Sequence, residues 1–369
     1  MAIGFPVKAN YVTGEVLTAT NMNDLSGSVN LLQSAQYAAG KNAIINGDFR
    51  FNQRNFTSTT TDGTYGFDRF KLLASSGATM SAQTFTPGTA PVSGYEAANF
   101  CRIVTTGQSG TGVYTMLEQP IEDVRTFAGQ TITISFWAKA ATGTPKIATQ
   151  IYQAFGAGGS PSSVVSTYVG QSTLSTSWAR YSLTIANPSI SGKTIGTTAN
   201  TSSFGLRLWV SAGSSSNAET GSLGIQSNTF DIWGVQVEEG STASEFQTAT
   251  GTIQGELAAC QRYYWRTSNT TTFAIYGLGA AYSTTAALIN IVNPVPLRVA
   301  ATSVDYSTLR LDDNTSGFAI TTIALNPVVL SSTLTNVNVT GAVGLTQYRV
   351  YNLSNNNNTA GYIGFSAEL

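Results

Sequence analysis

The sequence predicts an all-β protein made of two jelly-roll-like β-sandwich domains behind a short N-terminal helical segment. Three observations lead to this prediction. Apolar residues alternate with polar ones along several short runs, which is the period of a half-buried strand. Clusters of Gly, Ser and Asn separate those runs. Only 10% of the 369 residues are charged, well below the roughly 25% of ordinary soluble domains, so Ser, Thr and Asn must supply much of the surface.

The N-terminal segment, residues 1–40, is predicted to carry one short helix. Thr20 can cap this helix, and Asp24 in its first turn suits the positive end of the helix dipole. Four apolar residues then follow a 3-4-3 spacing and would form one seam. Two heptads are too few to hold chains together alone, so a helix packed on its own domain and a bundle shared between chains both remain open. The seam consists of Met22, Leu25, Val29 and Leu32.

Residues 43–247 are predicted to form the first β-sandwich. The run from Ile132 to Ala138 alternates apolar and polar side chains, and the runs 181–185, 204–210 and 233–237 repeat the pattern. Turns rich in Gly, Ser and Asn lie between these runs, and no helical periodicity interrupts the series. Such a series favours a sandwich or a jelly roll.

Residues 248–262 are predicted to be a connector, because a short helical pattern runs through Ile253, Leu257 and Cys260. Residues 263–369 return to strand patterning, and a second, smaller β-sandwich is the simplest account of them. The bases and aromatics just after the connector resemble a nucleic-acid surface in composition. Two arginines are too few for that role, so a domain junction is the better interpretation.

Composition excludes several classes of function. The chain has no histidine, which removes Ser-His-Asp and Cys-His nucleophile systems and nearly every zinc site. Its net charge of −1 argues against nucleic-acid binding. No stretch approaches the ~20 apolar residues of a membrane span, and no signal peptide is predicted at the N-terminus. The two cysteines, Cys101 and Cys260, are far apart in sequence and are expected to be buried thiols.

No catalytic residue is predicted. Glycoside cleavage needs two carboxyl groups that face each other, and adjacent residues on a strand point to opposite faces. The candidate carboxylate pairs are all of this adjacent kind. They are Glu122–Asp123, Glu238–Glu239 and Asp312–Asp313.

Short motifs in a fixed order resemble a jelly-roll domain that is widespread in structural proteins of bacteriophages and prophages. The connector motif Cys260–Tyr264 and the terminal Ala367–Leu369 resemble the same proteins, and Gly14–Ala19 resembles the start of many phage tail and appendage proteins. In the first sandwich the resemblance rests on these motifs: Asn46–Phe49, Gly66–Phe70, Gln119–Glu122, Phe127–Gln130, Ile134–Ala140, Thr176–Tyr181 and Ile232–Gly240.

This resemblance implies a non-enzymatic virion protein, made in the host cytoplasm, that forms a tail fibre or receptor-binding appendage. Residues 1–40 would attach it to other phage proteins, and residues 263–369 would be distal and face host surface glycans. The usual architecture of phage fibres, together with the N-terminal seam, implies a homotrimer. A head fibre or capsid decoration protein is the alternative, and a glycan-degrading tailspike enzyme is a third.

The first sandwich is also similar to the galactose-binding-like jelly rolls of carbohydrate-binding modules, which implies a sugar-binding surface. Trp137 and Trp209 lie opposite the aliphatic rows of their strands, so they are the expected glycan contacts. Trp178 and Trp233 lie in motifs that normally pack the core. The Asp68–Arg69 pair is expected to be a structural ion pair or hydrogen-bonding element.

The same similarity implies one structural calcium ion. Calcium takes six to eight oxygen ligands, and Asn46, Asp48 and Asp231 would offer some of them. The alternative is that Asp48 caps a turn and Asp231 pairs with a nearby arginine, so that no cofactor is held.

Overall fold

The computed structural model describes residues 40–268, 270–329 and 331–369, and nearly all of its regular structure is antiparallel β-sheet. The all-β class predicted from the sequence is therefore confirmed. The predicted N-terminal helix and its seam, Met22 to Leu32, lie outside the described residues. Within those residues, no helix has the length and apolar character needed to cross a membrane.

The first sandwich consists of two six-stranded sheets, ordered β1-β4-β5-β12-β7-β10 and β2-β3-β6-β11-β8-β9. Its strands are β1 (Ser58–Thr59), β2 (Thr64–Tyr65), β3 (Lys71–Ala74), β4 (Ala78–Thr84), β5 (Asn99–Thr105), β6 (Tyr114–Glu122), β7 (Thr131–Ala140), β8 (Lys146–Ala154), β9 (Val165–Thr173), β10 (Ala179–Ala186), β11 (Ser203–Ala212) and β12 (Asn228–Glu239).

The core of this sandwich comes from the apolar row of each strand. The β7 residues Ile132 and Phe136 are fully buried, as their alternation predicts. The polar residues Thr133 and Ser135 on the other face of β7 are buried as well, so β7 is not half-exposed. The segment after β12 covers this face, because Thr133 donates a hydrogen bond to the carbonyl of Gly240 at 2.8 Å.

One nine-residue helix, Ile253–Gln261, links the two sandwiches. The Thr252 hydroxyl caps it by accepting a hydrogen bond from the Gly255 amide at 3.1 Å. Cys260 is fully buried in its last turn, and both cysteines are free, as expected. A shorter helix, Asn217–Thr220, follows a 3-10 turn at Ser214–Ser216 in the loop between β11 and β12.

The second sandwich packs a three-stranded sheet, β13-β22-β16, against a seven-stranded sheet, β18-β17-β21-β14-β15-β20-β19. Buried residues from both sheets form its core, among them Phe365 and Ile289. Its strands are β13 (Tyr264–Ser268), β14 (Ile275–Ala281), β15 (Ala286–Val292), β16 (Ser303–Ser307), β17 (Leu309–Asp312), β18 (Gly317–Ala319), β19 (Thr322–Leu325), β20 (Leu334–Thr340), β21 (Val350–Asn355) and β22 (Tyr362–Ser366).

The junction between the sandwiches is built from arginines stacked on tyrosines. The Arg54 guanidinium lies 3.6 Å from the ring centroid of Tyr264, and that of Arg69 lies 3.4 Å from the ring centroid of Tyr263. Arg266 donates to the backbone carbonyl of Arg54. The basic and aromatic run after the helix thus makes contacts of the kind expected at a domain junction.

Asp68 and Arg69 both lie at this junction, but they do not pair with each other. Asp68 lies 3.6 Å from Arg54 and accepts a hydrogen bond from Gln53 at 2.8 Å. Arg69 pairs with Glu368 near the end of the chain. Adjacent residues point in different directions, so each member of the sequence pair finds a separate partner.

Candidate functional site

A row of charged and aromatic side chains crosses the outer face of the sheet β2-β3-β6-β11-β8-β9. Strand alternation turns Leu117 and Leu206 into the core and places their neighbours on the opposite face. The cross-strand register aligns these neighbours into one continuous row, because each residue lies directly opposite the next one on the adjacent strand. From the β2 edge to the β9 edge, the row runs Tyr65, Lys71, Glu118, Arg207, Gln150 and Tyr168. We call this row, together with Tyr152, the strip. Its members are Tyr65, Lys71, Glu118, Gln150, Tyr152, Tyr168 and Arg207.

Glu118 holds the centre of the strip. Its Oε1 lies 2.8 Å from Lys71 Nζ, and its Oε2 lies 2.5 Å from Arg207 Nε. Glu118 is only 2% exposed, so both cations are needed to offset the desolvation of its carboxylate. One carboxylate shared by two cations leaves the row with a single excess positive charge.

Tyrosine rings flank the charged centre. The Arg207 guanidinium lies 4.4 Å from the ring centroid of Tyr152, and Lys71 Nζ lies 5.6 Å from that of Tyr65. Gly205 makes the first arrangement feasible, because a Cβ at this position would lie 2.3 Å from the Tyr152 ring. Burial raises the pKa of both tyrosine hydroxyls above their usual value, so both stay neutral hydrogen-bonding groups at pH 7.

The strip is bounded at both edges of its sheet. At the β2 edge, Tyr65 Oη donates a hydrogen bond to the carbonyl of Leu369 at 2.8 Å. At the β9 edge, the Tyr168 ring packs against Gly221, directly after the helix Asn217–Thr220. Gln171 fixes that helix by donating to the carbonyl of Thr220 at 2.9 Å. The exposed parts of Lys71 and Arg207 therefore lie between Tyr65 at one edge of the sheet and Tyr168 at the other.

Chemically, the strip offers the half-buried rings of Tyr65 and Tyr168 beside fixed hydrogen-bond donors and acceptors. A sugar presents the complementary surface, with apolar C–H groups on its ring faces and hydroxyl groups at its edges. Glu118 is a poor nucleophile or general acid, because each of its oxygens already accepts a contact from a cation. The arrangement suits binding rather than bond cleavage.

The two tryptophans expected to contact glycan are not openly exposed. Trp209 lies on the outer face, but it is only 5% exposed, so its ring offers almost no surface to a glycan. Leu223 and Tyr168 pack around it, and its indole N–H donates to Gln150 Oε1 at 3.0 Å. Trp137 is half-buried beside Gly234, where a Cβ would come within 2.9 Å of its ring. Trp233 is fully buried in the core, as expected.

The residues expected to bind calcium are each engaged with other partners. Asp48 lies 3.1 Å from Arg50 Nε, and Asp231 accepts two hydrogen bonds from Arg102, at 2.6 and 2.9 Å. The Asn46 carboxamide oxygen accepts a backbone N–H five residues further on. These contacts occupy the oxygens that the ion would need. In the described ranges, no group of three or more acidic or cysteine side chains could hold a metal ion.

The adjacent carboxylates do not form catalytic pairs either. Glu238 is fully buried and accepts hydrogen bonds from Ser244, whereas Glu239 is exposed on the other side of β12. Asp313 lies 3.0 Å from Arg349. In each of these cases the carboxylate is held by a local partner or faces solvent. The remaining members contact arginines, namely Glu122 with Arg262, Asp123 with Arg125 and Asp312 with Arg310.

A pocket of about 320 Å³ beside the connector helix holds one further carboxylate, Glu256, among Tyr95 and Phe246. Burial raises the pKa of Glu256, which is a property of general acids. Its Oε1 accepts from the Asn46 amide at 2.6 Å, however, and its Oε2 accepts from the Thr250 amide and hydroxyl, both at 3.1 Å. Glu256 thus ties the connector to the first sandwich.

Comparison with known proteins gives matches among solved structures. One of them is the enzymatically active domain of tailspike protein 4 from bacteriophage CBA120. The match covers 54% of the chain, with 13% identity and a TM-score of 0.29. The chain spans about a fifth of that protein, since 21% of it is covered. No family model and no curated protein matches.

Other matched structures are sugar-binding domains. A xylan-binding domain of Xyn10C from Paenibacillus barcinonensis matches 47% of the chain over 92% of its own length, with 17% identity and a TM-score of 0.29. A putative sugar binding protein from Bacteroides thetaiotaomicron matches 54% of the chain over its full length, with 13% identity and a TM-score of 0.32.

Proposed function

We propose that the chain is a non-catalytic structural subunit of a bacteriophage particle that binds neutral glycans through the strip. One observation carries the glycan part of this proposal. Tyr152 and Tyr65 lie beside the Lys71–Glu118–Arg207 row, so rings and fixed polar groups share one outer face. Tyr65 and Tyr168 are half-buried and lie outside the main core cluster, whereas Tyr152 is only 6% exposed and supports the Arg207 guanidinium. A glycan would therefore contact the two half-buried rings and the exposed parts of Lys71 and Arg207.

A similar charged row on the other sheet lacks this feature. Asp231 there is also shared by two cations, since it lies 2.6 Å from Arg102 Nε and 3.7 Å from Lys139 Nζ. The ring nearest Lys139 is Trp178, which packs against the core, and Phe100 next to Arg102 is a core residue. The Asp231 row is therefore a structural cross-strand network and a matched control for the strip.

The virion part of the proposal is supported by the order of phage-like motifs and by the low charge of the chain. A tail fibre or receptor-binding appendage is our first choice, with a head fibre or capsid decoration protein as the alternative. Cryo-electron microscopy of the intact particle tests this choice. Density for the two sandwiches at the tail supports a fibre, density on the capsid shell supports the alternative, and a particle without them refutes both.

The glycan part is tested with an array of neutral and anionic host-surface glycans. Weak binding to neutral glycans is expected, with little dependence on salt, because the strip has only one excess charge. Several copies on a particle would raise the useful affinity. Binding that is restricted to anionic glycans and is abolished by salt would contradict the proposal.

A further inference from the structure

The second sandwich has a pocket of its own, about 250 Å³ in volume, on the outer face of the seven-stranded sheet. Phe273, which is 43% exposed, forms one wall, and Arg310 and Asp312 of β17 form another. The Arg310 guanidinium lies 4.4 Å from the Phe273 ring centroid and pairs with Asp312. Gly317 leaves room for the Arg310 guanidinium, because a Cβ at residue 317 would lie 2.2 Å from Arg310 Nη1.

Hydrogen bonds fix the polar wall of this pocket. The Asn314 backbone N–H donates to Asp312 Oδ1 at 2.6 Å, and Asn352 Nδ2 donates to Asn314 Oδ1 at 3.1 Å. Asp312 is only 9% exposed, and its ion pair with Arg310 neutralises both charges. The wall therefore presents amide and carboxylate groups in fixed positions, and its net charge is zero.

Two buried polar atoms at the pocket are left without a partner among the described residues, namely Arg310 Nε and Ser354 Oγ. Ser354 is 1% exposed and lines the pocket. A buried hydroxyl without a hydrogen bond costs stability, typically about 1–3 kcal/mol. A sugar hydroxyl would satisfy these atoms, and the pocket wall must open slightly to admit it, because each atom has less than 1 Å² of exposed surface.

We infer that this pocket binds a single neutral sugar residue, at a site separate from the strip. The volume lies just below the ~300–1,000 Å³ of drug-sized sites, which fits one monosaccharide unit. The Phe273 ring suits the apolar face of a sugar, and the hydroxyls at its edge can donate to Asp312 and accept from Arg310. An anion gains little here, because Asp312 already neutralises Arg310.

Saturation-transfer difference NMR of the full chain with methyl glycosides of glucose, galactose, mannose and N-acetylglucosamine tests this inference. We expect at least one of them to bind with a millimolar Kd. Ser354→Ala should weaken that binding at least about fivefold without lowering the thermal midpoint, because the hydroxyl it removes has no protein partner. A purely structural role for Ser354 would not separate these two readouts.

Phe273→Ala should also weaken binding, by about tenfold. Tyr282→Ala is its matched control, because Tyr282 has the same 43% exposure, lies outside the pocket and should leave binding unchanged. Arg207→Gln in the strip should not affect it either, which separates this site from the proposed glycan strip. The inference is overturned if no glycoside binds, or if binding survives both Ser354→Ala and Phe273→Ala unchanged.

Discussion

The Arg69 guanidinium forms an ion pair with the carboxylate of Glu368, the second-last residue of the chain. Arg69 is fully buried between this carboxylate, the Tyr263 ring and the carbonyl of Pro120. Arg54 reaches the same carboxylate at 3.3 Å. The segment after the last strand of the second sandwich therefore contacts the first sandwich through the Glu368 carboxylate, beside Tyr65 of the strip.

Removing the Glu368 carboxylate should destabilise the folded chain. We expect Glu368→Ala to lower the free energy of unfolding by about 3–5 kcal/mol, because it leaves the buried Arg69 charge unpaired. Urea denaturation monitored by tryptophan fluorescence measures this change. Glu239→Ala is the control, since Glu239 is exposed, and it should cost less than about 0.5 kcal/mol. Equal effects of the two variants would contradict the role given to Glu368.

Asp68 should give the junction a measurable pH dependence. Burial raises the pKa of Asp68 from 3.8 to about 6. Because the folded state favours the protonated form, this carboxyl lowers stability at pH 7, and the cost disappears as the pH falls through about 6 towards 4. The shift of roughly two units corresponds to about 3 kcal/mol.

The comparison of wild type with Asp68→Asn isolates this effect. As the pH is lowered from 7 to about 4, the unfolding free energy of wild type should rise relative to that of the variant, by up to about 3 kcal/mol. Urea titrations at intervals across this range measure the difference. A difference that is flat with pH, or that falls as the solution is acidified, would show that Asp68 is not the titrating group.

Calcium should have little effect on the first sandwich. Because Asp48 and Asp231 each face an arginine, we expect neither added calcium nor a chelator to shift the thermal midpoint. An ion bound only by the folded state at a hundred times its Kd would add about 2.7 kcal/mol. Scanning calorimetry with millimolar calcium and with excess chelator makes the check. If calcium raised the thermal midpoint by several degrees and Asp231→Asn abolished that rise, the first sandwich would hold a calcium ion at Asp231.

The oligomeric state tests the N-terminal seam. We expect the full chain to be a trimer, and a chain that begins at residue 41 to lose the trimer while its sandwiches stay folded. Met22, Leu25, Val29 and Leu32 supply only two heptads, so the trimer also needs contacts between sandwiches. Mass photometry of both chains measures this. A monomeric full chain at micromolar concentration would contradict the proposal.

Alternation along the chain predicted some of the strands, among them β7, β10, β11 and β12, because that signal is local. The strip could not be predicted in the same way. Lys71, Glu118 and Arg207 are far apart in sequence, and only the pairing of β3, β6 and β11 aligns them. The burial of Trp209 could not be predicted from the sequence for a related reason. Trp209 lies on the outer face of β11, but Leu223 and Tyr168, from other parts of the chain, pack against the small cluster to which it belongs.

Binding without cleavage is measured directly by titrating the full chain with a neutral oligosaccharide and assaying the same solution for reducing ends. We expect saturable binding, weakened at least about tenfold by Arg207→Gln, or about 1.4 kcal/mol, and unchanged by its counterpart Arg102→Gln. No reducing ends should be released. Binding that is equal in the two variants would contradict the strip, and reducing ends that disappear in Glu118→Gln or Glu256→Gln would show that the protein is an enzyme.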